Sequence, residues 1–347
     1  MQLTRSLVGA RLCVALLLLI GAAPLAARDV SGLFNATVAI KDRSPAERSR
    51  ASTAALTQVL IKLTGNRRIA SDGRASALQG RASTLLLQYA YDNAPDGSLT
   101  LNAHFDEQVL SRELEERGIV AWSKQRPDTV VFVIADDAQG RQLVGGDAPG
   151  KLGEVLKRKA DARALPLLLP LLDIEETSQL NIAHDWQTLS NSAVALATRY
   201  AAAAVLVGYL QQGEGQTWDV RWRLDVDGET SEWTQQAVQD DASMEEGIDA
   251  LGDALAQHYA AQDVVPTNEA QSLSVVGVNS AADYARLSNY LGSLDTLSQL
   301  FLKRVDNQRV VFEATARGGR AALTQSIGFG RVLAPLANQA DTYELLP

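Results

Sequence analysis

Three histidines, His104, His184 and His258, and one cysteine, Cys13, are all that the 347-residue chain offers for imidazole or thiol chemistry. His104 and Asp106 stand two apart, the spacing that puts both side chains on one face of a strand. There an imidazole and a carboxylate could form an acid–base pair or begin a metal site. No third ligand adjoins them in sequence, and a surface histidine beside a helix cap accounts for the pair as well. The run His184-Asp185-Trp186 and the lone His258 have the same standing. Asn66-Arg67-Arg68 is the candidate binding element, a short basic loop after a helix. It could grip an anion such as a lipid headgroup, a cell-wall carboxylate or a partner's acidic face. Its arginines have a structural use too, bonding the last helix carbonyls and pairing with nearby acids. Trp218, Trp222 and Trp233 could form a stacking platform for a sugar or a base. Their alternation with charged residues points instead to packing beneath a sheet. Asp136, Asp137 and Asp147 bracket a glycine-containing loop, but their spacing matches no calcium loop.

No phosphate-binding G-x-x-x-x-G-K-[ST], G-x-S-x-G or H-E-x-x-H pattern occurs, and Gly328-Phe329-Gly330 is only a fragment of a dinucleotide motif. No catalytic residue, metal ligand or cofactor is therefore indicated. Hydrophobic residues make up 46% and charged residues 21% of the chain, an ordinary globular balance. The formal net charge of −9 argues against a nucleic-acid binder, which needs a basic footprint.

Met1–Arg11 carries Arg5 and Arg11 without an acid. Leu12–Ile20 is an unbroken apolar run, and small residues follow to Ala27. This is the order of a secretory signal peptide, 1–27, too short in its apolar core to span a bilayer. Cleavage near Ala27 predicts a periplasmic protein without cysteine, because Cys13 lies inside the signal and is not placed as a lipoprotein cysteine. No later segment reaches membrane-spanning length.

The elements that must position these residues fall into three α/β modules. The first, 28–124, begins with a strand over Leu33–Ile40. The capping box Ser44-Pro45-Ala46-Glu47 then opens a helix with an apolar face at Leu56, Val59, Leu60 and Leu63, and Gly65 stops it. A short helix over Ala75–Gln79, strands over Leu85–Tyr91 and Ser98–Phe105, and a helix capped by Asp106 complete the module. Trp122, before Arg126-Pro127, is placed to pin this module to the next. The second module, 126–263, has covered strands at Val130–Ala135, Leu165–Leu172 and Ala203–Leu210. A loop is expected over Asp136–Pro149, helices over Lys151–Ala162, Leu189–Tyr200 and Ser243–Ala261, and a hairpin through Trp218–Val226 and Thr230–Val238. After a linker, Val264–Gln271, the third module, 271–336, has the order βαββαβ and is expected to be ferredoxin-like. The tail, 337–347, reads as loose. The fold class is thus α+β or α/β, a multi-module chain of small α/β domains.

The stretch Ala54–Arg68 (AALTQVLIKLTGNRR), with Leu101–Asp106 (LNAHFD) and the Gly118, Trp122, Arg126-Pro127 run, resembles a proteobacterial exported family catalogued as domain of unknown function 2066. Arg199-Tyr200, Ala203–Leu210 and Tyr284–Leu291 extend the likeness. The resemblance implies export in Gram-negative bacteria and supplies no activity or catalytic residues. Together these readings favour a non-enzymatic periplasmic interaction or assembly module with an envelope protein partner. Two alternatives stay open: a cell-wall or lipid hydrolase whose site is assembled from distant positions, and a small-ligand binding module using the mouth of the second module's sheet.

Overall fold

The computed structural model describes residues 27–94, 97–180, 184–213, 217–263, 270–294, 296–306, 308–316, 319–330, 332–336, 339 and 341–346. The expected signal peptide, Cys13 and most of the expected linker lie outside the described residues. The chain is α+β, with helices packed on several small sheets.

The N-terminal part comprises β1 (Ala27–Asp29), β2 (Asn35–Ala39), α1 (Pro45–Thr64), α2 (Gly73–Gln79), α3 (Ala82–Leu85), β3 (Leu86–Asn93), β4 (Leu99–Phe105), α4 (Glu107–Glu116) and β5 (Gln125–Pro127). Ser44 starts α1 as its spacing predicts, its hydroxyl accepting from the Glu47 amide at 3.2 Å. The Glu47 carboxylate reaches back to the Lys41 amide at 2.9 Å. The apolar face of α1 packs on an antiparallel sheet ordered β2-β4-β3, and Leu56, Val59 and Leu60 are wholly buried. Gly65 ends the helix at φ 67°, its amide bonded to the Ile61 carbonyl at 2.8 Å.

The central part comprises β6 (Thr129–Asp137), β7 (Gly140–Val144), α5 (Gly150–Arg163), β8 (Leu167–Leu168), α6 (Ile174–Gln179), α7 (Trp186–Ala197), β9 (Ala204–Gln212), β10 (Trp218–Val226), β11 (Glu229–Ala237) and α8 (Asp240–Asp263). Its sheet runs β11-β10-β9-β6-β7, with β6 and β9 parallel and β8 beside the start of β6. One face, with Val131, Val133, Leu206 and Trp222, packs under α5 and α8. The other, with Val130, Phe132, Val205 and Val207, packs under α7. Two expectations fail here. The loop expected over Asp136–Pro149 contains β7, because Asp137 and Gly140 close a tight hairpin on β6. The covered strand expected over Leu165–Leu172 shrinks to Leu167–Leu168. Pro166 and Pro170 remove ladder donors on either side, and Leu172 turns the chain at φ 54°. The buried Glu176 carboxylate then holds that turn, accepting from the Leu172 amide at 2.7 Å and meeting Tyr200 and Arg199.

The C-terminal part comprises β12 (Ala270–Val276), α9 (Ala281–Ser293), β13 (Leu297–Asp306), β14 (Arg309–Ala316), α10 (Gly319–Phe329), β15 (Leu333–Pro335) and β16 (Thr342–Leu345). Its sheet is ordered β13-β14-β12-β16-β15. The βαββαβ order is present, but the sheet departs from the expected ferredoxin-like plan, in which β15 would pair directly with β12, by an inserted strand. The tail expected to be loose supplies it. β16 lies between β12 and β15, parallel to β12, with Ser274 opposite Thr342. Tyr343 and Leu345 enter the core, and their alternation was too short to stand out in a polar stretch.

Candidate functional site

The Asn66-Arg67-Arg68 loop lies where the N-terminal sheet unit meets α8. Asn66 caps the 3₁₀ turn that follows α1, accepting from the Arg68 amide at 2.9 Å. Arg67 does not face solvent as an open anion grip. Its Nε donates to Asp253 Oδ2 at 2.7 Å, its amide to Asp253 Oδ1 at 3.0 Å, and its Nη1 to Glu246 Oε2 at 2.9 Å. The acids stand at successive turns of α8, so the loop's central cation is engaged within the chain. Arg163, nearly buried, completes the cluster: Nη1 donates to Asp249 Oδ1 at 3.0 Å, and Nη2 donates to Asp253 Oδ1 at 2.9 Å and to the Gly65 carbonyl at 2.6 Å. Burial pushes the Asp253 carboxyl up. The hydrogen bonds from Arg163 and Arg67 outweigh it and hold the group below its ordinary value.

Arg126 anchors the same junction without a carboxylate. It is wholly buried, and its guanidinium donates to the carbonyls of Arg163 at 3.3 Å, Ala164 at 3.2 Å and Lys62. These carbonyls sit in the last turns of α5 and α1, where helix dipoles are negative. Two helix ends therefore solvate one buried cation. Desolvation, with the Arg163 charge adding to it, pushes its pKa down to about 9, so it stays protonated at neutral pH. Trp122 lies beneath it, the guanidinium 4.1 Å from the ring centroid, and the Trp122 amide bonds the Leu63 carbonyl at 2.6 Å.

Arg68 makes no hydrogen bond or ion pair through its side chain to a described residue. With Asn66, Asp72, Arg74 and Gln257 it lines a cleft of about 500 Å³ at the same junction. Arg74 is held there by Asp72 at 2.7 Å and by the Gly118 carbonyl at 2.9 Å. Of the three loop residues, the structure leaves Arg68 to meet an outside group.

A larger cleft, about 690 Å³, opens at the carboxyl ends of β6 and β9 beside the start of α7. Tyr209 and Arg141 both donate to Asp136 Oδ2, at 2.6 and 2.9 Å. The Tyr209 hydroxyl and then Arg141 hold the Asp136 carboxyl below its ordinary value. Burial, with Asp136 adding to it, raises the Tyr209 phenol. Trp186 tilts against Tyr209 with ring centroids 6.4 Å apart. On the sheet floor Arg221 stands opposite Tyr209 and Thr234 and makes no side-chain bond to a described residue.

Of the other candidates, His184, Asp185 and Trp186 line this larger cleft, and the rest are engaged within the fold. His104 Nδ1 meets Asn35 Oδ1, and Asp106 caps α4 through the Val109 amide at 2.9 Å, so the two do not converge. His258 pairs with Asp227 at 3.0 Å on another face. Trp222 is buried and stacks on Trp233 at 6.4 Å, between the flat backbones of Gly208 and Gly247, so it offers no platform. Asp137 bonds the Gln139 amide in the hairpin at 2.8 Å. Among the described residues no group of three or more His, Cys, Asp and Glu is placed to hold a metal ion. Among them, too, no helix is long and apolar enough to cross a membrane. Arg141, Tyr209 and Arg221 escaped the sequence reading. The signals near them were the His184-Asp185-Trp186 run, which lines the same cleft, and the charged face of Trp218–Val226, which is indistinguishable from a solvated face.

Residues 27–123 match a family described as Domain of unknown function (DUF8605). This corrects the family expected from the KLTGNRR resemblance. The match falls on the N-terminal part of the chain and is to a different family from domain of unknown function 2066, which receives no support. No curated protein matches the chain. Two solved structures are similar over part of it. A competence or damage-inducible protein from Enterobacter asburiae is 16% identical, covering 43% of this chain and 94% of its own, with a TM-score of 0.25. A competence-damaged protein (CinA) superfamily protein from Enterobacter cloacae is 14% identical, covering 37% of this chain and 82% of its own, with a TM-score of 0.24. Likeness at that level carries no argument about fold or function.

Proposed function

We propose that the chain is an exported, non-enzymatic interaction or assembly module of the cell envelope that takes an extended segment of a partner protein along β13. One observation carries the reading. Among the described residues β13 is a ten-residue edge strand paired only with β14, and Phe301, Leu302 and Val305 on it are 55%, 48% and 58% exposed. An unpaired row of backbone donors and acceptors flanked by apolar side chains is a template for strand addition. The fitting occupant is an extended strand with apolar residues at alternate positions. Register shifts at Leu297–Gln299 and Leu302–Arg304 leave the run Gln299–Leu302 regular. The engaged state of Asp136, Asp249 and Asp253 also favours this reading over a carboxylate-based hydrolase. The periplasmic location rests on the charge and apolar order of residues 1–27.

The test is site-specific photocrosslinking in the envelope from Phe301 and Val305, with identification of the product. A discrete heterologous adduct, lost in a Phe301→Lys/Val305→Lys chain that keeps its circular dichroism, is the expected result. Crosslinking only to a second copy, or no adduct at native expression, overturns it.

A further inference from the structure

The cleft beside Tyr209 lies apart from the β13 edge and from the arginine–carboxylate junction around Arg67 and Arg163. Its walls combine two kinds of surface. Trp186 and Tyr209, tilted by 48° to one another, give a half-buried aromatic corner. The floor gives both donors and acceptors on neighbouring strands. Arg221 is a guanidinium without a described partner. Asp219 lies opposite both Gln211 and Gln236 in the ladders, and accepts from Gln236 Nε2 at 2.6 Å. The charges near it largely offset one another. Arg141 is paired with Asp136 at 2.9 Å, and Arg221 shares the cleft with Asp185 and Asp219. The start of α7 adds little for an anion, because Asp185 already caps it, accepting from the Thr188 amide at 3.1 Å.

A site with strong preference for an anion would show surplus positive charge, and one for an apolar ligand would show few polar groups. This one pairs aromatic faces with closely spaced amide, guanidinium and carboxylate groups. That combination matches a ring with an apolar C–H face and hydroxyls around its rim. The volume of about 690 Å³ accommodates one or two such rings with bridging water. The position agrees with the usual one in open α/β sheets, outside the carboxyl ends of parallel strands.

We infer that the cleft between Trp186, Tyr209 and Arg221 is a binding site for a neutral mono- or disaccharide. The aromatic corner takes a sugar face, Arg221 donates to ring hydroxyls, and Asp219 with Gln236 accepts and donates at the far rim. No covalent chemistry is involved.

Isothermal titration of the full chain with cellobiose, maltose and N,N′-diacetylchitobiose tests this, with inorganic phosphate and citrate as anionic probes. At least one neutral disaccharide is expected to bind with a Kd of about 1 mM or tighter. Arg221→Ala, at an exposed position without described contacts, is expected to weaken binding about tenfold, and Trp186→Ala at least as much. Arg68→Ala, in the other cleft, should leave it unchanged. Binding of the anions with none of the disaccharides overturns the ligand class. No binding of any probe up to about 10 mM, or disaccharide binding indifferent to Arg221→Ala, overturns the site.

Discussion

Arg126→Met asks what holds the N-terminal sheet unit to the central sheet. Methionine keeps an apolar stem over Trp122 but removes the cation that bonds the carbonyls of Lys62, Arg163 and Ala164. Each buried carbonyl left without a donor costs about 1–3 kcal/mol, reduced where water can enter. Loss of the stacked cation 4.1 Å from the Trp122 ring adds about 1 kcal/mol. Against this, the substitution relieves several kcal/mol of desolvation, the effect seen in the depressed Arg126 pKa. The balance is a net destabilisation of about 3 kcal/mol, which for a unit of this size lowers Tm by roughly 6–12 °C. Arg126→Lys should fall between, since an ammonium keeps the charge but lacks the planar fork that reaches two helix ends. Differential scanning calorimetry of the three chains decides it. An Arg126→Met chain as stable as the parent, or more stable, would show that desolvation dominates and that the two helix ends do not need their shared cation.

Other consequences follow from the same junction and from the C-terminal sheet. Gly65→Ala places a residue at φ 67° and a Cβ 2.4 Å from Ala256 Cβ and 2.6 Å from Trp122 Cε3. We expect a loss of about 2–4 kcal/mol in urea unfolding. Asp253 has a depressed pKa in the folded chain. Its contribution is therefore complete above the unfolded carboxyl value of about 3.9 and disappears as the pH falls through the folded value. The urea midpoint should drop below about pH 4. Asp253→Asn, weaker at neutral pH, should drop less steeply across that acid range. Removing residues 337–347 deletes β16 and uncovers β12. Hydrogen exchange of the β12 amides is then expected to accelerate by about two orders of magnitude, while β9 amides keep their protection.

Local signals in the sequence carried far. Ser44 and Glu47 marked the start of α1 and Gly65 its end, because caps are decided by a few neighbouring residues. Val130–Ala135 and the alternation in Trp218–Val226 marked covered and half-covered strands for the same reason. What failed depended on partners distant in sequence. Leu165–Leu172 looked like Val130–Ala135 in composition, and only the prolines and the Glu176 network made it a turn. Thr342–Leu345 has too few residues for a pattern of its own and becomes a strand because β12 and β15 stand on either side. The site shows the same division. Arg67 announced itself as a basic loop residue, but its acids lie on α8, in the next sheet unit, so its real occupation was invisible. Arg221 read as one charge among several on a polar face, and only the start of α7 decides that it is left open beside Trp186.

The parallel pairing of β12 with β16 also sets an order of events in time. β16 comes after every other element of its module, yet it occupies an inner position of the sheet. As the chain is made from its amino end, β12, β13 and β14 can assemble with their helices, but Leu273 and Val275 then border an empty lane. That lane stays open until Thr342–Leu345 arrives, and β15 packs on α10 but has no described strand partner before then. The module is thus held in an incomplete form during synthesis, with its last strand acting as the closing step.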